Sequence, residues 1–264
     1  MDLDRDREIL ACPADSGWAG LFIRTIAPWA IALLVVGVAL FFALARFVEL
    51  SDTAHSESQR DTFTYSSRGV DVATVHLDAG VGRLDVSVSD DADALIVADV
   101  VWDARVDRPV FAAETSSGEA IVRLRTQRSS WVTVPGRWDQ RWRVSLGQQI
   151  PMRLRVNGGV NVVNLDLREL TIDDVDVDLG IGEATVVLAE GDYRVTIDGG
   201  IGSLVIEVPD GVQARMGLSG GLGSMNVSSR FQRDGAHYVT ESWEPDRPTV
   251  EVDVDGGIGT IHVK

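Results

Sequence analysis

A glycine cluster comes back through this sequence at nearly constant spacing. "DGGIGSLVIEV" begins at Asp198, "SGGLGSMNV" at Ser219 and "DGGIGTIHV" at Asp255. The glycine that opens each G-x-G-like turn falls at Gly80, Gly159, Gly180, Gly200, Gly221 and Gly257. The second glycine is Gly82, Gly182, Gly202, Gly223 or Gly259, and in the Gly159 copy Asn161 takes its place. The intervals between opening glycines are 79, 21, 20, 21 and 36 residues. Three successive intervals near 21 mark a repeat architecture whose units bury a core only by stacking on each other. The last interval reads as one repeat plus an insertion at 230–248. The first holds a section, 91–150, without the repeat.

Each copy alternates in period two. Before the turn Val195 and Ile197 are apolar and Arg194, Thr196 and Asp198 polar; after it Leu204, Ile206 and Val208 are apolar. These are strands. The inward parity changes from odd to even across Gly202 and Ser203, which requires a corner or bulge that glycine can adopt. "EGD" at 190–192 and "PDG" at 209–211 are turn signals that close the coils. The predicted fold is all-β: a parallel β-solenoid of about 21-residue coils with glycine-rich corners, built from residues 71–264. One coil is expected to bury Val195, Ile197, Ile201, Leu204, Ile206 and Val208. The last repeat runs to Lys264 with an inward face of Val250, Val252, Val254, Ile258, Ile261 and Val263. It therefore reads as an open terminal coil, available for docking.

Glycine clusters also serve ligands, and those readings fail on spacing. A dinucleotide fingerprint needs a third glycine and a following helix; here the third slot holds Val205, Asn226 or His262, and a strand follows. Calcium-binding repeats need an Asp in the sixth position of a nine-residue period; here that position is Leu204, Met225 or Ile261. "GLSGG" at 217–221 matches a nucleophile elbow, yet Ser219 fills the slot of Asp198 and Asp255 in sibling repeats. His76 and His262 alternate with apolar neighbours and should face solvent. His55 and His237 fall in the polar stretch and the insertion. Asp174, Asp176 and Asp178 share one outward strand face. No catalytic residue, cofactor or metal ligand set is expected, and a small-molecule ligand is not expected either.

One stretch differs from all this. Residues 25–45, "TIAPWAIALLVVGVALFFALA", carry no charge, and Arg24 and Arg46 bracket them. At about 1.5 Å per residue they reach roughly 31 Å, a bilayer core. They predict one transmembrane helix, contacting lipid. Residues 1–24 would be a short cytoplasmic tail and 46–70 a polar tether. The arginine balance across the span is nearly even, and we take the C-terminal part as extracytoplasmic. The net charge of −16 argues against nucleic-acid binding. Cys12 is the only cysteine, so no internal disulfide forms.

The section at 91–150 is locally basic. Between Asp103 and Arg155 there are ten arginines and five acidic residues, and Trp131, Trp138 and Trp142 lie among them. Alternation in "RWRVSL" puts Trp142, Val144 and Leu146 on one face and Arg141 and Arg143 on the other. The tryptophans fit a cap over the first coil. Arg137, Trp138, Arg141 and Arg143 are the candidates for a surface that meets anionic partners.

Repeated D-G-G-I-G-x-(L/I)-x-V, the late "VPDGV" and a tryptophan-bearing strand leading to "IPMRLRVNGGV", all behind a membrane span, resemble the LiaF-like proteins, whose C-terminal region is also called the toast-rack domain, over residues 60–264. The resemblance implies a bacterial membrane protein of the cell-envelope stress response, regulatory or sensing, with an envelope signalling protein as partner. It brings no catalytic residues. LiaF-like proteins carry several N-terminal spans, whereas this chain shows one. A structural or adhesive solenoid, self-associating or binding envelope polymers, is the alternative. Either way the place is the bacterial cytoplasmic membrane, in a single pass.

Overall fold

The computed structural model describes residues 58–103, 107–128, 140–241, 243–244 and 246–264. The expected tail and membrane span at 1–45 lie outside these residues, as do 46–57 of the tether. Among the described residues no helix is long and apolar enough to cross a membrane. Residues 57–264 form one compact unit, and its described secondary structure is strand throughout.

The strands are β1 (Ser58–Ser66), β2 (Val72–Asp78), β3 (Val81–Val88), β4 (Ala94–Asp103), β5 (Asp107–Ser116), β6 (Glu119–Arg128) and β7 (Arg141–Leu146). They continue with β8 (Met152–Asp166), β9 (Ile172–Val187), β10 (Tyr193–Glu207), β11 (Ala214–Val227), β12 (Phe231–Asp234), β13 (His237–Thr240) and β14 (Val250–Val263). One path of hydrogen bonds runs β1-β4-β7-β3-β8-β9-β10-β14-β11-β13-β12. Strands β8, β9, β10, β14 and β11 are long, parallel and in register through their glycines. The first half of β8 continues the stack to β2 and β6, the second half to β3 and β7, all parallel. So β2 with β3, and β6 with β7, act as the two halves of one long strand. The section expected to lack the repeat thus supplies a layer of the stack.

Several expectations change. The sheet is mixed: β1–β4, β4–β7, β5–β6, β12–β13 and β11–β13 are antiparallel, and the parallel arrangement belongs to the middle of the stack. The polar stretch predicted as tether up to residue 70 contains β1. Its alternating Phe63 and Tyr65 pack on the core, and Phe63 stacks on Phe111 with centroids 5.2 Å apart. The last repeat is not terminal. Strand β14 lies between β10 and β11 and pairs along its length with both. The 230–248 insertion makes the β12–β13 hairpin, which covers Arg215–Gly217 of β11, and then leads the chain back into the stack.

Gln213 fixes that return. It is 2% exposed. Its amide nitrogen donates to Glu244 O (2.7 Å) and Thr249 Oγ1 (2.6 Å), its amide oxygen accepts from Glu244 N (2.7 Å), and its backbone carbonyl accepts from Val250 N (2.9 Å). Polar atoms buried this way need such partners, and here they hold the loop that delivers β14 to its slot. The turn at 190–192 is closed in a similar manner. Tyr193 OH accepts from Ala189 N (2.9 Å) and donates to Ala189 O (3.2 Å). Burial pushes its phenol up to about 12.

The core is one cluster running through every layer. In β10, Val195 and Ile197 are buried before the bend and Leu204 and Ile206 after it, so the parity change read from sequence is real. Trp142, Val144 and Leu146 point inward from β7 while Arg141 and Arg143 stay outside.

Candidate functional site

The bend is built by glycines for a steric reason. A Cβ at Gly200 would lie 2.7 Å from the carbonyl carbon of Gly180 and from Leu179 O, and one at Gly202 would lie 2.8 Å from the carbonyl carbon of Gly182. Gly202 also has φ of +151°, which side-chain-bearing residues rarely adopt. At the bend the Cα–H bonds therefore point along the stack, into the strand before. Gly82, Gly159, Gly180, Gly182, Gly221, Gly223, Gly257 and Gly259 likewise aim at neighbouring backbone. Gly80 does not: a Cβ there would only touch Thr126, at 3.7 Å. Asn161 replaces a glycine because its side chain turns aside, 7% exposed, and Nδ2 donates to Ala79 O (2.7 Å).

Between the glycines runs a row of aliphatic side chains: Val160, Ile181, Ile201, Ile258 and Leu222, in register across five strands. Sequence reasoning placed Ile201 and Ile258 in the core. Both are 50% exposed, and Leu222 is 73% exposed. Alternation alone sends Ile201 inward, but the bend that reverses parity falls around it and turns its side chain out of the core. With the glycine backbones, this row lines a groove of about 270 Å³ whose floor includes Leu204, Met225 and Ile261.

A second surface lies on the outer face of the first strand halves. Arg123, His76, Arg155 and Asp176 form one register row across β6, β2, β8 and β9. Arg155 bridges Asp176 and Asp174, the latter at 3.0 Å. Burial, with Arg123 and Arg155 on either side, pushes the His76 imidazole below its ordinary value. His76 is on the outer face as expected, half-buried between its arginine neighbours, and His262 is exposed. The carboxylates at 174 and 176 already have a cation, and among the described residues no group of three His, Cys, Asp or Glu is placed to hold a metal. Arg143 sits between Asp99 and Asp85 in the register, 3.9 Å from the Asp99 carboxylate. Arg137 and Trp138 lie outside the described residues, so the four-residue anionic-partner surface is seen only at Arg141 and Arg143. Ser219 Oγ donates to Val254 O (3.0 Å) and lies 3.2 Å from Asp255 Oδ1, a bond between neighbouring coils.

Known proteins resemble this arrangement. Residues 53–207 match the family model described as the N-terminal domain of toast-rack proteins, DUF2154. The crystal structure of a "putative cell adhesion protein" from Clostridium sporogenes aligns with 79% of this chain and 99% of its own, at 18% identity and a TM-score of 0.73. That likeness shows a shared fold. A "putative adhesin" from Bacteroides fragilis aligns over 79% of this chain and 99% of its own at 11% identity, with a TM-score of 0.25 too low to carry an argument. No curated protein sequence matches. The family match spans more than half of the chain, and the chain belongs to the toast-rack family.

Proposed function

We propose that this toast-rack protein works by contact rather than by chemistry, as a regulatory or sensing module tethered to the bacterial cytoplasmic membrane. Residues 25–45 are the anchor, on the strength of their uncharged length, and the β-domain is presented outside the cytoplasm. The observation that carries the reading is the exposed aliphatic row. Five large apolar side chains stand in line on a backbone that glycine packing holds rigid, in a chain of net charge −16. Such a row adds little to the core, and contiguous exposed apolar surface marks recognition sites. The polar groups that might have suggested catalysis are occupied: Ser219 bonds its neighbouring coil, and His237 Nδ1 lies 3.3 Å from Arg215 Nη2.

An adhesive or structural role is the second reading, favoured by the description of the Clostridium sporogenes neighbour. In that case Arg141 and Arg143 would meet anionic envelope polymers. A chromosomal Ile181→Asp, Ile258→Asp variant separates the readings. Its domain must first melt like the parent, as half-exposed positions allow. Loss of the transcriptional response to a cell-wall inhibitor, with surface attachment unchanged, supports the regulatory role. Loss of attachment in an Arg141→Glu, Arg143→Glu variant, with the transcriptional response unchanged, supports the adhesive one. If neither changes, the row is not the working surface. A reporter fused at Lys264 and active only in the cytoplasm would reverse the topology and remove the envelope reading.

A further inference from the structure

The groove beside the aliphatic row ends at a side chain whose hydrogen bonding is incomplete. It runs from β8 to β11, four strand spacings of about 4.8 Å, or roughly 19 Å. At the β8 end Asn161 lines it. Asn161 is 7% exposed, and its Nδ2 donates to Ala79 O (2.7 Å), which fixes the orientation of the amide. The Oδ1 atom is buried and has no donor among the described residues. Buried acceptors are seldom left so, because the loss is not repaid elsewhere. Beside it, Glu183 of β9 pairs in register with Val162, and it is the one charged side chain among the described residues that line the groove. Asp178, Asp198 and Asp255 are exposed, in register on β9, β10 and β14, and stand three residues before Ile181, Ile201 and Ile258. The field over the groove is therefore negative. Away from the Asn161 end the walls are glycine backbone with Ile201, Ile258 and Leu222, and Ser224 Oγ donates to Thr260 Oγ1 (3.3 Å).

We infer that the groove takes the single alkyl chain of a cationic amphiphile, its ammonium head at Glu183 and Asn161 Oδ1 and its tail along Ile201 and Ile258 towards Leu222. The head follows from the polar end. An ammonium brings the donor that Asn161 lacks and the charge that Glu183 and the three aspartates favour. A carboxylate or phosphodiester head brings neither and is repelled. The tail follows from the walls. An extended peptide would carry amide groups into a groove that offers them few partners. A helix, about 10–12 Å across, is too thick for a groove of about 270 Å³ drawn out over that length. An alkyl chain needs no hydrogen bonds and lies along the row. The inference names a ligand class for the aliphatic row and rests on the reading of that row as the working surface.

Photolabelling of the full chain in phosphatidylcholine nanodiscs tests this, with decylamine carrying a diazirine near the end of its tail as the probe. Mass spectrometry should find the label in peptides that contain Ile201, Ile258 or Leu222, and an excess of plain decylamine should remove it. The same chain with a carboxylate head should label those peptides about tenfold less or weaker still. Glu183→Gln, at an exposed position, should melt like the parent and weaken the amine by about tenfold or more, the worth of a hydrogen bond to a charged group. Asn161→Gly, which supplies the glycine of the sibling repeats, should weaken it as well. Labelling of these peptides that excess decylamine does not remove overturns the inference. So does equal labelling by the carboxylate, or a Glu183→Gln variant that binds the amine like the parent. Binding is read here without any cellular response, so a negative result beside a lost response in the Ile181→Asp, Ile258→Asp variant removes the ligand and leaves the proposed function standing.

Discussion

Three alanine substitutions separate the steric account of the glycines from a merely compositional one. At Gly200 the new Cβ would stand 2.7 Å from the Gly180 carbonyl carbon, where ordinary contact starts at 3.4 Å. The Gly180 carbonyl oxygen would be closer still, so strands β9 and β10 would have to part by more than about 0.7 Å, the difference between those two distances. That loosens a hydrogen bond on each side of the bend at about 1 kcal/mol apiece, and residual overpacking adds to it, so Gly200→Ala should cost about 2–4 kcal/mol. At Gly202 the clash is similar, and φ of +151° contributes a further conformational cost of about 1–3 kcal/mol. Gly202→Ala should therefore be the worst of the three. Gly80→Ala is the control. Its Cβ finds only Thr126 at 3.7 Å, so the change should be neutral, or stabilising by about 0.4–1 kcal/mol through the unfolded chain. Urea unfolding of residues 57–264, followed by circular dichroism, measures all three. In a thermal melt each kcal/mol should appear as roughly 2–4 °C. The reasoning fails if Gly200→Ala unfolds with the parent, or if Gly80→Ala is as damaging as Gly202→Ala.

The other predictions concern single side chains. His76 has a folded pKa below its ordinary value of 6.5, so the unfolded chain binds more protons as pH falls past that value. Stability should be full above about pH 6.5 and decline on acidification until the folded pKa is passed; His76→Gln should flatten that part of the stability–pH curve, and an unchanged slope would show that other groups set it. Gln213→Ala strips two partners from Glu244 and one from Thr249 and should cost about 1–3 kcal/mol for each buried group left unpaired. Hydrogen exchange should then quicken first in β14, whose entry the loop controls; uniform quickening would refute that role. Tyr193→Phe leaves Ala189 N–H without its acceptor and should cost about 1–3 kcal/mol, read from the same urea curves.

Local chemistry was legible in the sequence and spatial order was not, and the glycine motif explains both facts. The period-two alternation of Val195, Ile197, Leu204 and Ile206, and the parity change between them, depend on neighbours along the chain. The structure repeats them residue for residue. Where β14 sits depends on which strand faces which, and there the motif is mute. Every copy offers a glycine pair that fits over the pair of any other, so "DGGIG" at 255 would pack beyond β11 as well as between β10 and β11. Outside the motif, Gln213, a polar residue next to a turn, pins the loop on the way into β14, and the β12–β13 hairpin takes the other side of Arg215–Gly217. The exposed row was misplaced for a related reason. Alternation counts faces on a straight strand, and Ile181, Ile201 and Ile258 occupy the few positions where the strand is not straight. The layer made by β6 and β7 escaped notice because its halves are joined without the glycine signature. Repeat motifs report the steric demands of a bend. They do not report the order in which bends are stacked, and in this protein that order moves the open edge from the last repeat to the one before it.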